Sequence, residues 1–378
     1  MVGTQRDARA APDVVRAVAA YGLPGVDAAL PCDPVDDATF GEVLAHVRDG
    51  RVVALLARAA ADGAFPLTDA QQEDVDALRG AAHAFVAVLE QTVVDVTTLL
   101  DTAGIETRVL KGAALAHLDY PDPSWRTYGD VDVLVRGADL DRAVAALRDM
   151  GYGRRLPPLR PGFDARFAKG VLLTNETARA IEIDLHRTFA DGPFGATSRP
   201  DELFTGSQPF VLRDHAVQAL APADRLLHAC YHVASSAHVR LSSVRDLAQL
   251  ALVTRPDPDA VLGRARGWNA EAVVARAVGL TWRVLGLNDT TGASPLLDWS
   301  RSYVVDRAGG RAIAVSVGPR AGWPAMALAT IRTLGPLDRV TYTRALLWPT
   351  REFLDARGTT RRERWRRAWG ALRGRERR

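Results

Sequence analysis

The spacing of apolar residues predicts that the chain begins with helices. Between residues 13 and 64, apolar residues recur at helical intervals, separated by prolines and glycines. Thr68 followed by Gln71 then matches a capping box, in which two side chains satisfy free N–H groups at the start of a helix. The helix that starts here ends at Gly104, and its apolar face comprises Leu78, Phe85, Leu89, Val93 and Leu100. We therefore expect a helical lead-in followed by one long helix.

Three segments rich in β-branched and apolar residues follow, and they predict β-strands. They are residues 105–110, 131–135 and the strictly alternating segment 180–186. Helical segments separate them, and Asp139 can cap the helix after the second strand, which Gly151 ends. This alternation of helices and strands predicts a mixed α/β core.

From Pro222 onward the pattern predicts helices alone, which indicates a separate helical domain packed against the core. The segment from Pro193 to Gln208 has prolines and glycines with little periodicity, so we expect a linker there. The expected parts are a lead-in (1–66), a core (67–205), a helical domain (206–355) and a basic tail (356–378).

The charge of the chain is concentrated at its end. Residues 357–378 carry ten arginines against two glutamates, so the rest of this +3 chain is net negative. The high pI therefore does not indicate a nucleic-acid-binding body. Only Cys32 and Cys230 are present, no signal-peptide pattern occurs, and no apolar run approaches the roughly 20 residues of a membrane span. We expect a cytoplasmic protein with free thiols and no transmembrane helix.

Two pairs of acidic residues lie within the predicted strands. Side chains alternate along a strand, so Asp130 and Asp132 point to one side, and Glu182, Asp184 and His186 likewise share a side. Three carboxylates from neighbouring strands can hold two Mg²⁺ ions, with Mn²⁺ as the alternative, as in phosphoryl-type transfer. An Asp-x-Asp pair is also common at strand ends and solvated edges, and that interpretation stays open.

Lys111, one of only two lysines in the chain, directly precedes Gly112 between a predicted strand and a predicted helix. Such a turn often needs glycine for its backbone freedom alone. It can also form a corner for an anion, where a lysine adds a charge for a phosphate. The combination with the acidic strands favours the second interpretation.

The ordered segments LKGAAL, YPDPSWRTYGDVDVLV, LRDMGY and IEIDLH resemble the uncharacterised nucleotidyltransferase family, a branch of the DNA polymerase β-like nucleotidyltransferase superfamily. The resemblance continues into LAPADRLLHACYHVASSAHVRLSSVRDLAQL and covers roughly residues 75 to 255. It implies a small mixed sheet flanked by N-terminal helices and a C-terminal helical domain. It also implies transfer of a nucleoside monophosphate from an NTP to an acceptor hydroxyl.

The resemblance assigns roles residue by residue. Asp130 and Asp132 become the metal-binding pair, with Asp184 as the third carboxylate and general base. Lys111 and Gly112 occupy the turn that is a Gly-Ser pair in better-known members of the superfamily. Arg126 would neutralise phosphate charge. Its structural alternative is an ion pair with an acid such as Asp122.

Histidines follow in the predicted helical domain. His228 and His232 lie four residues apart on one helix face, but Ala229 stands where a zinc-protease helix needs glutamate. We expect them to pack at the domain interface with Arg245 and Asp246, or to approach the nucleotide.

The tail sets Trp365 and Trp369 at helical spacing among arginines, a pattern that suits an anionic membrane surface, RNA phosphates or docking on the body. The sequence names neither the NTP, the acceptor nor the oligomeric state. Two other functions stay open: a noncatalytic binding or regulatory module that uses the basic tail for an anionic partner, and a nucleotide phosphohydrolase with the same carboxylates.

Overall fold

The computed structural model describes residues 11–175, 181–236, 238–287, 294–317 and 323–372. The predicted helical start is confirmed. Its helices are α1 (Ala11–Ala20), α2 (Asp37–Asp49), α3 (Val53–Ala61) and α4 (Asp69–Thr102). Thr68 and Gln71 form both halves of the capping box that begins α4.

Strands and short helices alternate in the middle of the chain. They are β1 (Thr107–Val109), α5 (Lys111–Asp119), β2 (Val131–Val135), α6 (Leu140–Arg148), β3 (Tyr152–Arg154), α7 (Phe163–Phe167), β4 (Gly170–Asn175), β5 (Glu182–His186), α8 (Gly192–Thr197), β6 (Gln208–Leu212) and β7 (His215–Ala219). The predicted strands at 105–110, 131–135 and 180–186 correspond to β1, β2 and β5.

Among the described residues after β7, the regular elements are helices, as predicted from Pro222 onward. They are α9 (Pro222–Ser235), α10 (Leu241–Gln249), α11 (Pro258–Gly267), α12 (Glu271–Leu285), α13 (Pro295–Ser302), α14 (Arg307–Val317), α15 (Trp323–Thr333), α16 (Pro336–Leu347), α17 (Arg351–Ala356) and α18 (Arg361–Leu372). Prolines at the first turns of α9, α11, α13 and α16 suit positions whose N–H has no partner within the helix.

Seven strands form one mixed sheet in the order β3-β4-β5-β2-β1-β7-β6. β2 pairs in parallel with β5, and β1 pairs in parallel with β7. The other neighbouring strands pair antiparallel. The mixed α/β fold predicted from the sequence is therefore confirmed, with more strands than the sequence pattern indicated.

The sheet extends beyond residue 205, where we expected the core to end. A hairpin of β6 and β7 adds two strands, and its two-residue loop consists of Arg213 and Asp214 at positive φ. The expected linker at 193–208 instead contains α8 and a 3-10 turn at Pro200–Phe204, and α8 packs against α15.

The two faces of the sheet differ in chemistry. Val131, Val133, Ile183 and Leu185 face a core that they share with α4 and α6. The opposite face carries Asp132, Asp184 and His186, and we call it the acidic face. A second core, built mainly from α1–α3 and α9–α13, lies on this side and includes Leu134 of β2. The lead-in and the C-terminal helices therefore share one core.

Helix α4 is the one helix among the described residues that is long and apolar enough to cross a membrane, judged by length and composition alone. Core helices of soluble proteins meet the same criterion. The apolar face of α4, including Leu89, Val93, Val96 and Leu100, is buried in the core on the non-acidic side of the sheet.

Candidate active site

Two carboxylates and one imidazole meet on the acidic face. Because β2 and β5 are parallel neighbours, Asp132 lies directly across from Asp184 in register. His186 follows two residues after Asp184 on the same face, and its Nε2 lies 2.7 Å from Asp132 Oδ1 and 3.0 Å from Asp184 Oδ2. The candidate ligand atoms of all three residues lie within 4.8 Å of one another. We call Asp132, Asp184 and His186 the acid–imidazole cluster.

Both lysines of the chain end at this cluster. Lys111 Nζ lies 2.6 Å from Asp132 Oδ1, and Lys169 Nζ lies 2.8 Å from Asp184 Oδ2. The predicted site did not include Lys169, although this lysine is also followed by a glycine, Gly170. A Cβ at position 170 would lie 2.3 Å from the Leu185 carbonyl oxygen, so β4 and β5 can pair here only without one.

The backbone of Lys111 is unusual. It has φ +40°, in the left-handed region that residues with a Cβ rarely adopt. Such a conformation costs about 1–3 kcal/mol and persists only where the surroundings determine it. Here β1 and α5 meet at Lys111, and Leu110 before it donates its N–H to the Asp132 carbonyl oxygen. The lysine that contacts Asp132 is thus held at a strained turn.

Charge in the cluster is compensated. Burial alone would raise the pKa of Asp132, but the charge of Lys111 and the hydrogen bond from His186 hold that pKa well below its usual range. Burial also opposes ionisation of Asp184, and His186 and Lys169 together lower the pKa of that carboxyl. Burial would lower the pKa of Lys111, yet Asp132, Asp130 and Asp184 raise it. Both carboxylates and Lys111 are therefore charged at neutral pH.

Asp130, predicted as the first metal ligand, lies just before β2 and outside the acid–imidazole cluster. Its side chain is 43% exposed, and its carboxylate lies 3.8 Å from the Arg51 guanidinium. Partial loss of solvent and the charge of Asp132 raise the pKa of Asp130. Arg51 comes from the turn between α2 and α3 and was not predicted. A Cβ at Gly129 would lie 3.1 Å from that guanidinium, so this glycine leaves room for it.

A cleft adjoins the cluster on the side of α5 and α10. Its lining includes Arg51, Lys111, Arg126, Asp130 and Arg240, and we call it the basic cleft. Arg225 and Asp246 line it as well, so five cationic side chains stand against two carboxylates. The cleft is therefore suited to an anion.

Arg126 lines the basic cleft but has a structural partner. Its guanidinium donates two hydrogen bonds, of 2.8 and 2.7 Å, to the carboxylate of Asp246 on α10. Tyr120 donates a further hydrogen bond of 2.8 Å to the same carboxylate. The structural alternative, an ion pair of Arg126 with an acid, is therefore confirmed, but the acid is Asp246. Asp122, the example expected, instead accepts the N–H of Ser124 at the start of a 3-10 turn.

Gly112 is required by packing. A Cβ at this position would lie 2.8 Å from the ring of Tyr128. We expected the unusual backbone conformation of the Lys-Gly turn at the glycine. It occurs at Lys111 instead, and Gly112 has no positive φ. The predicted role of Gly112 in binding nucleotide stays a prediction.

His228 and His232 line the basic cleft from α9. His228 is buried and stacks on Phe189 with ring centroids 4.5 Å apart, and its ring lies 6.0 Å from that of His186. Burial, with the positive charge of Lys111, lowers the pKa of His232 to about 3 and holds that of His228 well below its usual range. Both imidazoles are therefore neutral at physiological pH. Neither belongs to the acid–imidazole cluster.

The remaining secondary candidates have other partners. Arg245 is fully buried and donates to the carbonyl oxygens of Ala19 and Tyr21, which ties α10 to α1. The expected pairing of Arg245 and Asp246 with the histidines is replaced by these contacts and by the bond to Arg126. Glu182 is 44% exposed and lies 3.4 Å from Arg155, away from the cluster.

Comparison with known proteins places these residues within a recognised family region. The sequence model of a family described as uncharacterised nucleotidyltransferase matches residues 36–286. No curated protein matches the chain. Among solved structures, a match is the crystal structure of an antigenic nucleotidyltransferase-like protein from Paracoccidioides brasiliensis, at 16% identity and a TM-score of 0.35, covering 56% of this chain and 96% of that chain. The family match confirms the resemblance found in the LKG, GDVDVLV and IEIDLH segments.

Proposed function

We propose that this chain, which belongs to the uncharacterised nucleotidyltransferase family, is a metal-dependent enzyme that transfers a nucleoside monophosphate from an NTP to an acceptor hydroxyl. The observation that carries the proposal is the register pairing of Asp132 with Asp184, which brings two carboxylates and His186 together on one face. Polymerase-type transfer needs carboxylates in this kind of arrangement.

The donor set is suited to a divalent cation. The contacts described above use Oδ1 of Asp132 and Oδ2 of Asp184, and the second oxygen of each carboxylate is a further candidate ligand atom. Carboxylate oxygens suit Mg²⁺ and Mn²⁺, whereas an imidazole nitrogen favours a transition metal over Mg²⁺. Asp132, Asp184 and His186 would hold the ion, and Mn²⁺ is therefore as important to test as Mg²⁺. A bound cation would neutralise charge that develops on the phosphates and lower the pKa of the acceptor hydroxyl.

The protein groups divide the remaining tasks. Lys111 lies at the border between the cluster and the basic cleft and would contact a phosphate oxygen, and Arg51 would add positive charge at the same side. The acceptor hydroxyl oxygen forms a bond to the α-phosphorus, and the bond from that phosphorus to the bridging oxygen breaks. Pyrophosphate leaves with the electron pair. Asp184 takes the hydroxyl proton as general base.

Transfer of label tests the proposal. The purified protein is incubated with each α-labelled NTP, a cell extract as the source of acceptor, and Mg²⁺ or Mn²⁺. We expect label in a new species with wild type, and none with Asp132→Asn or after chelation. The control variant is Arg79→Gln, which should retain transfer. It removes an exposed ion pair on α4, at a position distant along the chain from the residues of the cluster.

The other outcomes separate the alternatives. Release of nucleotide products without a labelled acceptor would indicate a phosphohydrolase. Absence of both reactions with every NTP and both metals would favour the noncatalytic module. In that case the two lysine–carboxylate pairs would have a structural role only.

A further inference from the structure

A large groove lies along β4, the strand next to β5, whereas the basic cleft is lined by β1 and α5 on the other side of β2 in the strand order. It has a volume of about 1010 Å³ and is bounded by β4, α7 and the helices α15 to α18. Gly170 and Leu172 line it. They are the direct register partners of His186 and Asp184, so they lie beside the cluster on the same face of the sheet.

Aromatic rings form the walls. Phe163, Phe167 and Tyr342 contact one another with centroids 5.2–5.6 Å apart, and Trp323 and Phe353 complete the lining. We call this set the aromatic groove. A concave site of this size that combines aromatic and aliphatic side chains with a few charged groups is typical of sites for small organic molecules.

Two arginines in the groove have no acidic partner among the described residues. The Arg364 guanidinium lies over two rings, 5.0 Å from the Trp323 centroid and 5.3 Å from the Phe353 centroid. Its Nε is buried and has no hydrogen-bond acceptor in the described part of the chain. Arg357 lies over the same Phe353 ring, 5.8 Å from its centroid. Burial, with the nearby charge of Arg357, lowers the pKa of Arg364.

The acids that line the groove do not neutralise this charge. Asp164 pairs with Arg154 at 2.6 Å. Asp191 accepts the backbone N–H of Lys169 at 2.7 Å. A buried donor without an acceptor is costly, and an anionic ligand group would satisfy both arginines at once.

We propose that the aromatic groove binds the acceptor: a small molecule with an aromatic or similarly flat apolar body, an anionic group and the hydroxyl that receives the nucleotide. The body packs between Phe163, Phe167 and Tyr342. The anionic group contacts Arg357 and Arg364, and the hydroxyl lies over Gly170 and Leu172, next to Asp184. This assignment rests on the proposed function and adds the chemical class of the acceptor to it.

A pair of dyes tests the groove without requiring activity. The probe is 1-anilinonaphthalene-8-sulfonate, which has an aromatic body and an anionic group, and its neutral counterpart is N-phenyl-1-naphthylamine. Fluorescence titration of wild type should give saturable binding of both. Arg364→Gln should weaken the sulfonate dye about tenfold and leave the neutral dye within about twofold, because only the former uses the guanidinium.

The matched control is Arg362→Gln, which removes the same charge from an exposed position on α18 and should change neither dye. Phe167→Leu should weaken both dyes. Equal affinity of wild type and Arg364→Gln for the sulfonate dye would overturn the anion site. Equal loss of both dyes in Arg364→Gln, at unchanged melting temperature, would likewise overturn it.

Label transfer then tests the link to the reaction. The sulfonate dye should inhibit transfer competitively with the acceptor fraction of the extract and not with the NTP. Inhibition that is competitive with the NTP, or none at saturating dye, would overturn the acceptor assignment. Failure of the proposed function can be told apart from failure of the acceptor assignment. In the first case wild type transfers no label, and the dye titrations still decide whether the groove binds an aromatic anion.

Discussion

Asp132 and Asp184 are direct register partners on two parallel strands that are separated by some fifty residues of chain. Pairing in register brings their carboxylates to the same imidazole. Each carboxylate also has its own lysine, Lys111 for Asp132 and Lys169 for Asp184.

Asp132→Asn should abolish the proposed reaction and weaken metal binding. It removes a carboxylate from the acid–imidazole cluster, and loss of transition-state charge stabilisation of this kind costs about a hundredfold or more in rate. Mn²⁺ affinity is measured by electron paramagnetic resonance, and rate by label transfer. Asp130→Asn is the matched control, and it should retain Mn²⁺ affinity because Asp130 lies outside the cluster. Equal loss of affinity in both variants would restore Asp130 as a ligand.

The positive φ of Lys111 predicts an inverted order of stability between two substitutions. Both Lys111→Gly and Lys111→Ala remove the charge beside Asp132, so their difference isolates the backbone. At φ +40° glycine should be more stable than alanine by about 1 kcal/mol, the reverse of the usual order within a helix. Urea unfolding measures the difference. An alanine variant as stable as the glycine variant would show that the turn relaxes.

The buried pair of Arg126 and Asp246 should be strongly coupled. Either Arg126→Met or Asp246→Leu leaves one buried charge without its partner, which costs about 3–5 kcal/mol. The double variant should lose less than the sum of the two single losses, by about 1–3 kcal/mol, in the free energy of unfolding. The same cycle on the exposed pair of Arg79 and Asp76 should give a coupling near zero.

His232 should make the folded protein less stable as the pH falls. Its pKa of about 3 in the folded state lies below the ordinary 6.5, so the unfolded state binds more protons between these values. Stability is fully present above about pH 6.5 and declines below it, by up to about 1.4 kcal/mol per pH unit for this group. His232→Gln should flatten the decline in urea unfolding between pH 6.5 and 5. The control is His215→Gln, at an exposed position at the start of β7, and it should leave the decline unchanged.

The sequence predicted the acidic strands but not which acids meet. Alternation along one strand places Asp130 and Asp132 on one side, so the sequence pattern alone does not distinguish them. The ladder begins at Val131, so Asp130 precedes it and only Asp132 has a partner in β5. Which strands become neighbours depends on contacts across the whole fold, and spacing along the chain does not contain that information.

Three further features, Lys169, Arg51 and the β6–β7 hairpin, have weak sequence signals or none. Lys169-Gly170 repeats the Lys111-Gly112 pattern in a chain with two lysines. This repetition is a sequence signal that points to Lys169 as a site residue. Arg51 is contributed by the lead-in, and only the shared core of α1–α3 with the C-terminal helices brings it to the cleft. The β6–β7 hairpin turns at Arg213 and Asp214. Two-residue turns of this kind usually contain asparagine and glycine, so the sequence of this turn does not predict a hairpin.

The arginine-rich composition has a practical consequence for this molecule. Every other basic side chain is a guanidinium or an imidazole, so Lys111 and Lys169 are the only side-chain amines. Acylating reagents that modify a lysine of this chain must therefore modify the edge of the acid–imidazole cluster. A ligand that occupies the cluster should protect these two amines from acylation. Mass spectrometry of the acylated chain would therefore report on occupancy of the site without any added label.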